Sequence, residues 1–354
     1  MDKLKKALYR IFIEGLGGMA LGLFSTLIVG TIIAQIGAFI GGTIGGDIVL
    51  IGKMAQAVTG AGIGIGVAYK LKQAPLVSFS AAAAGMVGVF ASKMLAGTFI
   101  TNGVVTLAGP GEPLGAFIAA YTAISVGSLV SGKTKVDILV TPLVTILSGS
   151  ALGLLVGPPI SSFMTWLGAL INWGAEQQPL LLGIVVSVLM GIILTLPISS
   201  AALGIILNLG GIAAGAATVG CCCNMVGFAV ASYRENKAAG LLAQGIGTSM
   251  LQVPNIMKKP IIWMPAIVAS AILGPVSTMV FHMTNNATGS GMGSAGLVGQ
   301  IMTWQTMSPT TPAGLLLFEI LLLQFILPAL IAFVVSEFMR KKGWIKPGDM
   351  KLDL

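Results

Sequence analysis

Between two long apolar runs lies GTSMLQVPNIMKKP, Gly247 to Pro260, a stretch that carries Thr248, Ser249, Gln252, Pro254 and Asn255. The chain around it has 354 residues, 55% of them hydrophobic and 8% charged. A soluble globular protein carries about 25% charged residues, so this composition cannot cover a water-facing surface. Apolar runs of about 20 residues recur from end to end, the length that crosses roughly 30 Å of hydrocarbon as a helix. In lipid, backbone freed by a proline or by glycines survives only where protein buries it or where it lines a wet cavity. The stretch therefore predicts an all-α polytopic membrane protein whose helices are interrupted around a polar site.

Other classes fit poorly. Runs such as LLLGIVVSVLMGIILTL lack the alternation of a membrane β-barrel. The opening MDKLKKALYR leads into an apolar run that continues to about Ile40 without a small-residue cleavage site, which reads as a retained first span. The net charge of +8 is dispersed singly or in pairs at the ends of apolar runs and forms no nucleic-acid surface. Lys3, Lys5, Lys6 and Arg10, then Lys70 and Lys72, then Lys133 and Lys135 recur after every second span, with Asp47, Glu112 and Glu176 in the turns between. By the positive-inside rule both termini are expected in the cytoplasm.

Full spans are expected at 12–40, 50–69, 75–97, 113–132, 136–157, 179–197, 261–283 and 312–339. Residues 198–257 are studded with Gly, Ser, Asn and Gln, and Arg234 and Lys258 should share one side, so this region is expected to enter and return as hairpins. Thr284 to Gln300, TNNATGSGMGSAGLVGQ, is expected to dip from the outer face. Together these give about eight full transmembrane helices plus re-entrant or broken-helix hairpins, about ten spans in total. Pairs such as Gly41 with Gly45 and Gly42 with Gly46 suit close helix packing.

Short motifs give way to this setting. GSLVSGKT, Gly127 to Thr134, matches the phosphate-binding P-loop, but that motif needs a strand, a loop and a helix in a nucleotide-binding domain, and here it joins two apolar runs. GMGSAG, Gly291 to Gly296, fits GxGxxG with no strand before it and reads as a hairpin tip. Cys221, Cys222 and Cys223 point about 100° apart on a helix and cannot converge as tetrahedral ligands, so no metal and no cofactor is expected. His282, the single histidine, falls at the outer end of a span, where a solute-binding and an interfacial role are both open. Glu319 and Gln324 in LLLFEILLLQFILPAL should face the protein interior, as helix-pairing groups or as parts of an ion pathway. No HExxH and no aspartyl dyad is present, so no catalytic residue is assigned and the chain is not read as an enzyme.

PISSAALGIILNLGGIAAGAATVGCCCNMVGFAV, GTSMLQVPNI and GMGSAGLVGQ, in that order, resemble the second EIIC family of the bacterial phosphotransferase system, a group that includes proteins named perfringolysin O regulator. The likeness runs over nearly the whole chain from EGLGGMALGLFSTLIVGTIIAQIG onward. The resemblance implies a homodimeric sugar permease of the bacterial cell membrane that moves its cargo by an elevator-like motion. In a complete system, separate IIA and IIB proteins pass phosphate to the sugar, and the chain has no room for either module. It also lacks an obvious match to the glutamate and histidine pair of better-known EIIC families. The domain organisation expected is a single EIIC-like domain over 1–354, with a scaffold half at 1–178, a transport half with hairpins at 179–310, and a final helix and tail at 311–354.

The solute site is expected on the broken segments, where half-helix ends and side-chain hydroxyls and amides supply hydrogen bonds. Its residues would be Ser199, Ser200, Asn224, Thr248, Ser249, Gln252, Asn255 and His282, with Pro197, Pro254, Gly291, Gly293 and Gly296 as hinges. The partners expected are a small polar solute, a sugar or sugar derivative, and the lipid bilayer. A membrane sensor that binds the solute without net transport is the alternative.

Overall fold

The computed structural model describes residues 2–101, 104–105, 107 and 111–352. Seven helices among these are long and apolar enough to cross a membrane: α1 Lys6–Ile40, α4 Pro75–Leu95, α5 Pro113–Val130, α6 Asp137–Ala175, α9 Gly211–Ala231, α12 Pro260–Met279 and α14 Ala313–Lys341. An eighth crossing is available if α2 Gly42–Ala57 and α3 Thr59–Lys70, bent by 52° at Val58, count as one span. The shorter apolar α7 Pro179–Thr195 has 17 residues. Between these lie α8 Ser200–Ile206, α10 Tyr233–Leu242, α11 Val253–Lys258 and α13 Val298–Met307, and a two-stranded hairpin pairs Ile100–Thr101 with Val104–Val105.

The all-α polytopic expectation holds, with corrections at two helices. Residues 211–231 form one unbroken helix; the interruptions fall on either side of it. Its glycines and cysteines do not break it because small side chains let neighbouring helices press close, and 89% of its apolar window is buried. The helix that starts at Asp137 runs on to Ala175 through Pro158 and Pro159, past the expected end at 157. GSLVSGKT joins α5 to α6 through a turn in which the Gly132 N–H donates to Asp137 Oδ1 at 2.8 Å, so no strand precedes it and it is no P-loop.

The chain divides into two compact units, and the boundary falls within α6, after Met164. In the first, α1 packs against α2 and α3 along glycines in antiparallel register: Gly18 on Gly66, Gly22 on Gly62, Gly30 on Gly52 and Gly37 on Gly45. A methyl group on Gly30 would lie 2.7 Å from the Gly52 carbonyl oxygen, so the backbones themselves are in contact. Of the four glycines expected to serve close helix packing, Gly45 does so, against Gly37, and the other three do not. Gly41 and Gly42 have φ of 66° and 62° and make the turn between α1 and α2, while Gly46 faces open space.

In the second unit α9 is the central post. Cys221, Cys222, Cys223, Asn224 and Met225 on it are fully buried. One core cluster joins Val219 and Cys223 to Leu273 of α12, Met307 of α13 and Leu316, Ile320 and Leu323 of α14. A second joins Phe228 and Ala231 to Ile256, Ile262, Met339 and two residues beyond the last helix, Ile345 and Met350.

Backbone contact predicts where side chains are tolerated. Gly60→Val, whose Cβ would lie 2.6 Å from the Gly85 carbonyl oxygen, should destabilise the protein by about 1–3 kcal/mol, as overpacking does. Gly46→Val has nothing within 4 Å and should leave the melting temperature in detergent unchanged.

Candidate functional site

Three interruptions lie in the second unit: residues 196–210, 243–259 and 280–297. They are tied to one another. Ser200 Oγ, at the start of α8, donates to the Gly291 carbonyl at 2.6 Å. The Asn285 N–H donates to the Gly211 carbonyl at 3.2 Å where the third segment begins. At its tip, Ser294 Oγ donates to the Gly245 carbonyl of the second segment at 2.5 Å. Gly293 lies against the middle of α9, where a methyl group would stand 2.7 Å from Cys221 Cβ. Its φ of +52°, and that of Gly296 at +54°, are left-handed values that glycine adopts without strain.

Beside this meeting point Asn224, itself fully buried, is the hub of a polar cluster. Its Oδ1 accepts from Trp263 Nε1 at 2.8 Å and from Thr195 Oγ1 at 3.2 Å. Its Nδ2 donates to the Gly220 carbonyl at 3.2 Å and to Ser270 Oγ at 3.3 Å. Thr195 Oγ1 stands 2.8 Å from Ser249 Oγ, so the last residue of α7, the middle of α9 and the second broken segment meet in one cluster. Trp263, partly buried, ends the 3-10 turn that starts at Pro260, and Ser270 lies seven residues, about two turns, further along α12.

A second chain of amides runs towards the C-terminal residues. Gln252 Nε2 donates to Gln244 Oε1 at 2.9 Å and to the Met350 carbonyl at 3.0 Å. Asn255 Nδ2 donates to Gln252 Oε1 at 2.8 Å and to the Lys351 carbonyl at 2.8 Å. Asn236 holds the same strand of chain, donating to the Met350 carbonyl and accepting from the Leu352 N–H, each at 2.8 Å. Lys259 Nζ lies 2.6 Å from Asp349 Oδ2. The tail thus straps the second broken segment through its own backbone carbonyls.

Of the residues expected at the site, Asn224 and Ser249 share the hub, joined through Thr195. Gln252 and Asn255 bond each other and the tail. Ser199 and Thr248 cap local turns, accepting from the N–H of Ala202 and Met250. Ser200 ties the first segment to the third, and His282 is exposed in a turn. Pro254 stands in the first turn of α11, where a missing N–H is harmless. Pro197 lies in the turn between the end of α7 and the start of α8. Sequence reasoning missed Thr195, Trp263, Ser270 and the tail. Thr195, two residues before Pro197, carried a signal, because a helix usually ends before a proline and leaves polar ends there. Among the described residues no group of His, Cys, Asp or Glu could hold a metal ion.

The fold and site define a multi-pass membrane protein with a buried polar centre built on interrupted helices, the architecture of a solute carrier. Over residues 13–352 the chain matches the family described as Phosphotransferase system, EIIC, and it belongs to that family. No curated protein matches it. EIIC domains are membrane transporter components of the phosphotransferase system, not catalytic enzymes, and the chain is a membrane permease of that type.

Two consequences are measurable. Asn224→Ala removes the acceptor of Trp263 Nε1 and the buried bonds of Asn224 to Thr195 and Ser270, and should lower stability by about 1–3 kcal/mol in thermal unfolding. At Asp349, partial burial raises the pKa, but the hydrogen bonds and charges of Lys259 and Lys346 outweigh it and the net shift is downward. A depressed pKa gives stabilisation that is complete above the ordinary aspartate range and is lost as pH falls through the lower folded value. Hydrogen exchange at 345–352 should therefore stay slow near neutral pH, quicken in that acid window, and quicken at neutral pH in Asp349→Asn.

Proposed function

We propose that the protein carries a sugar or similar small polar solute across the bacterial cell membrane, and that the solute binds where the three broken segments meet beside Asn224. Family membership implies a sugar-type substrate and separate IIA and IIB partners. The observation that carries the placement is the contact of Ser294 with Gly245 against the middle of α9, next to a hub of hydroxyls and amides. A sugar presents hydroxyl donors and acceptors, and Asn224, Ser249, Thr195 and Trp263 offer the complementary set.

In the arrangement described, these groups are bonded to one another. Solute would replace those bonds one for one, so the net energy of opening stays small. The second unit, which holds all three broken segments, would be the moving part of an elevator-like cycle, with the first as scaffold and as the face of a homodimer. Gln252 and Asn255 would reach solute only once the tail has left them. Both termini would lie in the cytoplasm, where IIA and IIB proteins could supply phosphate.

The test is counter-flow in proteoliposomes with a panel of labelled sugars. Exchange of at least one sugar is expected, with Ser249→Ala and Gln252→Ala reducing it about tenfold or more while the protein remains folded. Binding without exchange would contradict carriage and favour a sensor. Exchange untouched by both substitutions would move the site elsewhere.

A further inference from the structure

The amides of the second broken segment need more acceptors than the segment itself provides, and the C-terminal tail supplies them. A side-chain carboxamide has two N–H hydrogens to place. Gln252 Nε2 gives one to Gln244 Oε1, and Asn255 Nδ2 gives one to Gln252 Oε1. Gln244 closes the row by donating to Ser232 Oγ and to the Gly240 carbonyl, each at 2.9 Å. The second hydrogens of Gln252 and Asn255 go to the main-chain oxygens of Met350 and Lys351. Gln244 and Gln252 are fully buried and Asn255 is nearly so, which makes the tail the group that satisfies this pair of donors.

The tail is attached in a way that lets it peel from one end. It leaves α14 at Gly343, with φ of +73°, and turns again at Gly348, with φ of +91°, and a methyl group on either glycine would meet nothing within 4 Å. Residues 343–352 form turns but no helix or strand. Ile345, Met350 and Leu352 bury their side chains, Asn236 of α10 grips the main chain at Met350 and Leu352, and the ion pair of Lys259 with Asp349 remains partly exposed. A segment hinged on glycines, and held by a few side-chain amides and one part-exposed ion pair, belongs to the end of the stability range where structures open locally.

The two tail carbonyls present what a polyol also presents, a pair of oxygen acceptors for amide N–H groups. We propose that residues 343–352 are an autoinhibitory latch. The Met350 and Lys351 carbonyls hold the Gln252 and Asn255 donors that solute oxygens would otherwise take, and pin the second broken segment until the tail swings away about Gly343. The competition with solute rests on the permease reading; the pinning of the segment does not.

Asn236→Ala removes two of the tail's bonds without touching Gln252 or Asn255, and Asp349→Asn loosens the tail at a separate point. With folding checked by melting temperature, hydrogen exchange on the full-length protein in lipid nanodiscs should quicken severalfold at 345–352 in both variants. It should quicken together with that at 249–258, while 211–231 stays as in the natural sequence. Faster exchange of the tail with no change at 249–258 would overturn the proposal. The carbodiimide EDC joins an amine and a carboxylate held in contact as an amide, with loss of water, so it should tie Lys259 to Asp349, which peptide mass spectrometry reads. In sugar counter-flow the natural sequence should lose exchange in proportion to the crosslinked fraction. EDC-treated Asp349→Asn should keep its exchange, and untreated Asn236→Ala should exceed the natural sequence severalfold. Full exchange by crosslinked protein would also overturn the latch. If none of these proteins exchanges any sugar, the permease reading fails, and coupled hydrogen exchange of tail and segment still decides the pinning.

Discussion

A polar group or an open backbone inside a bilayer must find its partner within the protein. The ties among the broken segments of the second unit follow from that constraint. The chain leaves regular helix at 196–210, 243–259 and 280–297, and at each place the freed groups are taken up by another interruption or by α9. Ser200 meets Gly291, Ser294 meets Gly245, and Asn285 meets Thr218. The polar centre is the joint consequence of three helix breaks that satisfy one another.

The same constraint explains α9. It remains continuous while its neighbours break, because it must present ordered surfaces on both sides. Gly220 allows α7 to press against it through Ser187, and Gly293 packs on Cys221. Asn224 reaches the polar hub, while Thr218 accepts from Asn285 and Cys222 from Gln300. In the first unit glycines bring backbones into contact, with a polar tie between the same helices where Gln56 Nε2 donates to Thr31 Oγ1. Small residues thus serve dense packing in one unit and room for a polar centre in the other.

Much of the fold was legible in the sequence because hydrophobic run length reports directly on span number. The EIIC resemblance rested on three long segments, and the family match over 13–352 bears it out. Boundaries were less legible. Pro158 and Pro159 did not stop α6, and the polar dots in 211–231 were read as breaks when packing held the helix straight. At the site, Asn224 and Ser249 were found by residue type, since a buried amide and hydroxyl stand out in an apolar chain. Thr195, Trp263 and Ser270 were missed because their roles depend on which helices become neighbours, and no local pattern encodes that. The tail was missed for a related reason: it binds through backbone carbonyls of Met350 and Lys351, which carry no side-chain signature.

The central claim is that the broken segments part from one another beside α9. Cys221, Cys222 and Cys223 are the chain's only cysteines, lie fully buried at that junction, and report its opening without knowledge of the solute. The most direct measurement is the rate at which N-ethylmaleimide labels them in native membranes, read by intact-protein mass spectrometry, in the natural sequence and in Ser294→Ala. Slow labelling that quickens severalfold when the Ser294 to Gly245 contact is removed is the result predicted. Cysteines that stay unlabelled in both proteins until the chain is denatured would contradict the account.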